Sequence, residues 1–251
     1  MMCRTVCKAM GKLSGKTAII TGASSGFGRG TAYAFAAEGC NLVLTARRTE
    51  RLEEAVRKCE ELGAKAVFYA GDAREEKTAV HTVQLAMETF GRIDILVNNA
   101  GIGRVLPITE TTMADYDLIM DSNVRSAFAF TKYTVPEMLK QKDGQIILVS
   151  SVTGVRGHAD ETAYTCSKFA LRGLGQALDR ELLDKGIKTC VFCPHAGVTE
   201  FEIGYGREAE SWAKTGFLTP EDVGQALLGV CTQTSNCHVA ELRLAANNCI
   251  F

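Results

Sequence analysis

The chain has 251 residues, with 28 Lys and Arg against 29 Asp and Glu and a net charge of −1, so no global field draws it to nucleic acid or an anionic membrane. Hydrophobic residues at 46% and charged residues at 23% suit a globular protein with a substantial core, and no apolar run approaches the ~18 residues of a spanning helix. Residues 1–14 lack the continuous apolar region of a secretory signal; they read as a frayed or loosely docked extension of a cytoplasmic protein whose thiols are mostly reduced.

Residues 17–21 predict a first strand and 28–38 a helix. A strand at 41–46, a helix at 50–62, a strand at 65–70, a helix at 75–90 and a strand at 93–98 follow. One long helix is expected over 113–140, bent near Pro136. After it come a strand at 145–150, a helix at 163–185, a strand at 187–193, a helix at 220–230 and a last strand at 239–244. Short apolar runs rich in β-branched residues, alternating with amphipathic helices, predict βαβ units and an α/β fold with a parallel sheet. No linker, low-complexity segment or repeat interrupts residues 15–251, which read as one domain. Residues 199–218 are weakly patterned, with Gly204, Gly206 and Gly216 around Trp212, and are expected to form a substrate lid.

The ten cysteines match no disulfide or zinc framework, and no metal site is expected. Cys190 and Cys193 form a C-x-x-C inside the largely apolar run 187–193, where Cys behaves as a small hydrophobe. A thiol redox role for that pair is an alternative that would require exposed, low-pKa thiols.

The first strand runs into Thr21-Gly22-Ala23-Ser24-Ser25-Gly26-Phe27-Gly28 and then a helix. Glycines at that junction allow a tight turn and close approach of a pyrophosphate, and the helix N-terminus behind them offers free N–H groups and a positive dipole end. The spacing is G-x-x-x-G-x-G rather than G-x-G-x-x-G. The residue after the second strand discriminates the nucleotide: an acidic residue there bonds the ribose 2′-OH of NAD, an Arg accommodates the 2′-phosphate of NADP. The strand ends in Ala46-Arg47-Arg48 with no carboxylate before Glu50, which favours NADP.

Tyr164 and Lys168 stand at i, i+4 on a predicted helix and share a face. A nearby ammonium favours phenolate and tunes a Tyr toward general acid/base work on a carbonyl or alcohol oxygen. Ser150-Ser151 ends the preceding strand, where α/β sheets place ligands, and the Ser151 hydroxyl can bond an oxygen on which charge develops.

These segments, together with Asn98-Asn99-Ala100-Gly101, occur in an order that resembles the short-chain dehydrogenase/reductase family over roughly residues 15–244. The resemblance implies a single-domain Rossmann-like, doubly wound sheet of about seven parallel strands, with helices on both faces, binding NADP(H). By the same resemblance Tyr164 exchanges the hydroxyl proton, Lys168 tunes it and binds the nicotinamide ribose, Ser151 orients the substrate oxygen and Asn123 holds a relay water. It assigns Asp72 to the adenine amino group, Asn99, Ala100 and Gly101 to the strand end beside the adenosine, and, in the segment that begins at Pro194, backbone near Gly197 to the carboxamide and Thr199 to the pyrophosphate. One departure is His195, where the family usually has Gly; it puts the local backbone shape in doubt and could enter the substrate pocket.

The remaining pocket candidates are His158, Phe201, Tyr205 and Trp212, with Ile203 and Phe217; Arg207 or Lys214 could hold a carboxylate. Segments 45–52 and 239–244 are similar to the branch acting on small 3-hydroxy acids and serine, while hydroxysteroid dehydrogenases and broad carbonyl reductases share the same core. The implied activity is interconversion of a secondary alcohol and a ketone by hydride transfer. A non-catalytic NADP-binding sensor is the alternative, and the long helices imply a homodimer or homotetramer.

Overall fold

In the computed structural model, which describes residues 11–201 and 216–247, β1 (Thr17–Thr21) is buried along its whole length. It pairs in parallel with β2 (Asn41–Ala46) on one side and β4 (Ile95–Asn98) on the other. β3 (Ala66–Ala70) extends the sheet beyond β2, and β5 (Gly144–Val149), β6 (Ile187–Pro194) and β7 (Glu241–Leu244) extend it beyond β4. The result is a seven-stranded parallel sheet ordered β3-β2-β1-β4-β5-β6-β7. The chain winds outward from β1 to β3, then returns to start again at β4. The crevice at the carboxyl ends of β1 and β4 is the point where open α/β sheets bind ligands.

Strand side chains alternate between the two faces, and each face has its own core. Ile20, Leu42 and Leu44 pack with α1 (Gly26–Ala37), α2 (Thr49–Glu61) and α7 (Pro220–Cys231) through residues such as Phe35, Leu52 and Val223. Ile19, Val43 and Leu96 pack on the other face with α3 (Glu76–Phe90), α5 (Ser126–Gln141) and α6 (Thr162–Leu182), through Val83, Phe130 and Leu171. Double coverage explains why the strands read as near-continuous apolar runs.

Several expectations need adjusting: β4 begins at Ile95 rather than at 93, and α1 at Gly26 rather than at 28. The helix over 113–140 is not continuous with a bend near Pro136. It is α4 (Met113–Met120), a π-helical turn (Asp121–Arg125) and α5, which runs on through Pro136. The interruption comes from one wide turn rather than from the imide, and such turns reorient side chains at functional sites. Residues 11–14 are tied down: Leu13 is buried and its amide donates to Glu38 O at 3.0 Å. The last strand starts at Glu241, two residues later than expected, and its approach is already paired, with Val191 N donating to Ala240 O at 2.9 Å.

The edge of the sheet opposite the crevice is fastened by Asp94, just before β4. Its buried carboxylate accepts from Thr17 N at 2.8 Å, Arg92 Nε at 2.8 Å and Lys16 Nζ at 3.0 Å.

Candidate active site

A cleft of 710 Å³ opens at the carboxyl ends of the strands, and Gly22, Arg48, Asn99, Ser151, Tyr164, Lys168, Thr199 and Phe201 all line it. Its floor is the turn between β1 and α1. Gly22 has φ +67°, and a β-carbon on Gly28 would stand 2.5 Å from Asn99 Nδ2 and 2.6 Å from Gly22 O. Only glycine allows that approach, which leaves the N-terminus of α1 bare toward the cleft. Thr21 links this turn to the end of β4: its Oγ1 accepts from Asn99 N at 2.9 Å and Ala100 N at 2.8 Å, and Asn99 Nδ2 donates to Thr21 O at 2.9 Å. Asn98 points elsewhere and is buried, donating to Thr131 Oγ1 at 3.1 Å.

Arg48 lies over the turn. Its Nη2 donates to Ser25 Oγ at 3.0 Å and Ser24 Oγ at 3.3 Å, and its Nη1 to Glu200 Oε2 at 3.0 Å. Arg47 lines the same end of the cleft. Asp72 also lines it, but the Arg74 guanidinium beside it, at 2.6 Å from Oδ2, holds its carboxyl below the usual carboxylate range. Asp72 does not cap α3, whose N-cap is Glu75. These features fit a dinucleotide: a backbone cradle that a β-carbon would fill, with two guanidiniums where a phosphate would hang.

At the other end, Tyr164 and Lys168 are buried side by side in the first turns of α6. Lys168 Nζ lies 5.3 Å from the Tyr164 ring centroid and donates to Val149 O at 2.9 Å. That carbonyl at the end of β5 holds the long lysine stem in one place. Of the Ser150-Ser151 pair, Ser150 is structural: it is buried and donates to Lys168 O at 2.8 Å. Ser151 lines the cleft. Its Oγ accepts from Thr153 N at 3.2 Å and lies 2.7 Å from Thr153 Oγ1. With its acceptor sites engaged, the Ser151 hydroxyl keeps its hydrogen for a third partner.

Asn123 sits fully buried in the π-helical turn. Its Oδ1 accepts from Ile102 N at 2.8 Å, and its Nδ2 donates to Ile102 O and Ser167 Oγ, both at 2.9 Å. The side chain therefore staples the loop after β4 to α6. A β-carbon on Gly101 would lie 2.9 Å from Asn123 Oδ1 and 3.7 Å from Lys168 Nζ, which shows how closely the two groups approach.

The far wall comes from the extension of β6. Pro194, His195, Gly197 and Thr199 line the cleft, and a parallel bridge joins Gly197 to Leu218. The doubt over His195 resolves simply. Among the described residues the positive-φ positions other than glycine are Lys142 and Asp160, so His195 carries its β-carbon without left-handed strain. Its amide donates to Leu244 O at 2.8 Å. Burial, then the charges of His158 and Arg156, push its imidazole down. His158 also lines the cleft, and Phe201 packs on Tyr164 with ring centroids 5.7 Å apart. Phe27 packs beside Gly197. Tyr205 and Trp212, with Ile203, Arg207 and Lys214, lie outside the described residues.

Several lining residues are not singled out by the sequence, Glu161 and Arg104 among them, and Glu200 is expected only as part of the 199–218 segment. Glu161 borders the cleft, and burial pushes its carboxyl up. Arg104 pairs with Asp115, the residue that closes the capping box at the start of α4. Glu200 pairs with Arg48 across 152 residues of chain. Pairings that form only through the tertiary fold leave no local pattern.

The C-x-x-C pair is built into β6. Cys190 and Cys193 are buried, and burial pushes the Cys190 thiol up to about 12 and the Cys193 thiol upward as well. That is the opposite of a reactive environment. Brief alkylation of the folded protein, read by peptide mass spectrometry, is expected to modify the exposed Cys166 and Cys237 well before Cys190 or Cys193. Early labelling within β6 would revive the redox reading.

Residues 16–208 match the family model described as short chain dehydrogenase. The oxidoreductase UcpA of Salmonella typhimurium is 42% identical over 189 residues, covering 74% of this chain and 70% of that protein. A metagenomic short-chain oxidoreductase solved in complex with NADP superposes with a TM-score of 0.82 at 27% identity, covering 94% of this chain and 99% of that one. An alcohol dehydrogenase from the archaeon Thermococcus sibiricus, complexed with 5-hydroxy-NADP, gives a TM-score of 0.84 at 25% identity, over 91% and 95% of the two chains. This chain belongs to the short-chain dehydrogenase family of oxidoreductases, which use nicotinamide cofactors.

Proposed function

We propose that the protein is an NADP(H)-dependent oxidoreductase that interconverts a secondary alcohol and a ketone. The observation that carries the reading is the placement of Tyr164 beside Lys168 in the same cleft as Arg48, which lies over the Gly22–Gly28 turn. A nicotinamide bound in that cleft supplies or accepts the hydride. The residues do the rest. Ser151 donates to the substrate oxygen, and Tyr164 gives that oxygen its phenolic proton in reduction or accepts it in oxidation. The Lys168 ammonium steadies negative charge on the phenol oxygen and holds the ribose. Asn123, whose side chain bonds Ile102 and Ser167, holds the relay water.

Ser24, Ser25 and the amides at the start of α1 face the pyrophosphate, and Arg47 and Arg48 the 2′-phosphate. Asp72, Asn99, Ala100 and Gly101 border the adenosine, Thr199 the pyrophosphate, and Pro194 and Gly197 the nicotinamide side. Both solved neighbours carry an NADP-type ligand, which supports this assignment. His158, His195 and Phe201 wall the substrate end of what we read as one domain; most of the expected 199–218 lid, residues 202–215, lies outside the described residues. We read the substrate as a small-molecule ketone or alcohol of moderate size, with hydroxysteroids, 3-hydroxy acids and simple carbonyls as the classes to compare. We read it as a cytoplasmic enzyme. Exposed Phe128 and Leu139 on α5, with Phe169 on α6, support association into a homodimer or homotetramer.

The test is NADPH oxidation against a panel of ketones, steroids and 3-oxo acids, run beside NADH. Turnover preferring NADPH supports the reading; binding without turnover on any compound favours a cofactor sensor instead. Arg48→Ala is expected to weaken NADPH binding about tenfold or more, the value of a charge-assisted hydrogen bond to phosphate, while leaving NADH affinity nearly unchanged. Titration of cofactor fluorescence reads both.

A further inference from the structure

Glu200 occupies the place where Arg48 would meet a phosphate. The Arg48 fork has two sides: one faces the hydroxyls of Ser24 and Ser25, and the other donates to Glu200 Oε2 at 3.0 Å. The second carboxylate oxygen of Glu200 lies 3.8 Å from Arg51 Nη2. Arg48 and Arg51 are one turn apart at the start of α2. Glu200 comes from the opposite wall, one residue past Thr199, whose methyl would be 3.2 Å from a β-carbon on Gly26. The carboxylate is thus delivered to the arginine pair by the extension of β6, the same segment that walls the cofactor cleft.

The three side chains are 42% to 49% exposed, so the pairing is screened by water and readily exchanged. A phosphate monoester carries more charge and three acceptor oxygens, and takes a guanidinium fork better than one carboxylate does. A ribose 2′-hydroxyl carries no charge; it leaves the Arg48–Glu200 pair in place and can donate to a nearby carboxylate. We propose that Glu200 is a specificity-determining residue, which sets the preference for phosphorylated over unphosphorylated dinucleotide by competing with the 2′-phosphate for Arg48 and Arg51. The proposal rests on the NADP reading above.

Equilibrium binding of NADPH and NADH to the wild type, Glu200→Gln, Arg48→Ala, and the Arg48→Ala, Arg51→Ala pair with and without Glu200→Gln tests it without turnover. Glu200→Gln is expected to tighten NADPH about two- to fivefold, the range set by an exposed ion pair, with NADH unchanged or weaker. That gain is expected to vanish when Arg48 and Arg51 are both changed to Ala. If Arg48→Ala weakens NADPH but Glu200→Gln does not tighten it, the role of Glu200 is overturned and the NADP reading stands. A gain that persists when both Arg48 and Arg51 are changed to Ala also overturns it, since the competition would then be for neither guanidinium. If Arg48→Ala leaves NADPH affinity unchanged, the anchor itself is misassigned and the Glu200 proposal falls with it.

Discussion

Tyr164→Phe is expected to lower kcat for ketone reduction by about 10²–10⁴-fold, the usual contribution of a positioned general acid, while NADPH still binds. The ring is buried against Phe201 and beside Lys168, so Phe fills the same volume and the change removes one oxygen and its proton. The loss should fall on kcat and kcat/KM together, because the proton is transferred only as the reaction proceeds. Steady-state kinetics on whichever panel compound turns over, beside cofactor titration of the same variant, separates the two effects. Cofactor binding preserved with activity within threefold of wild type would show that another group handles the proton. Loss of binding as well would show that Tyr164 chiefly shapes the ribose site.

The placing of Tyr164 beside Lys168 was readable in the sequence because its geometry is local. Residues four apart on a helix share a face, and the structure keeps Tyr164 and Lys168 in one cleft. The inner strands were readable for a related reason: β1, β2, β4, β5 and β6 are buried along most of their length, so each appears as an apolar run. What the sequence could not show is where long-range partners meet. Asn123 reads as one polar residue in a long amphipathic stretch, and its position in a π-helical turn depends on the contacts to Ile102 and Ser167. The sequence singles out Ser151; both serines border the cleft, and the fold shows what separates them, since Ser150 spends its hydroxyl hydrogen on Lys168 O. The His195 departure looked disruptive because a missing glycine suggests left-handed backbone, yet the chain at that point is an ordinary strand extension.

At the amino ends of the strands the expectation concerns stability. Asp94 is almost wholly buried, with a side-chain exposure of 2%, and serves Thr17 N, Arg92 and Lys16 at once. Burial alone would raise its carboxyl, but the bonds from Arg92, Thr17 N and Lys16 outweigh it and hold the group below the usual carboxylate range. Asp94→Ala strips the Thr17 amide of its acceptor and releases two cations that are already partly hydrated. A cost of about 3 kcal/mol is expected, the lower end of the range for breaking a buried pair, or roughly 6–12 °C in Tm for a chain of this size. A carboxyl whose folded pKa lies below its unfolded value of ~3.9 stabilises fully above that value and loses the contribution as pH falls through the folded pKa. The stability gap between wild type and Asp94→Ala should therefore be constant from pH 7 down to about 5 and close progressively below pH 4. Urea unfolding across that range measures it. A gap that stays open at the acid end would mean that Asp94 acts through packing and its bond to Thr17 rather than through its charge.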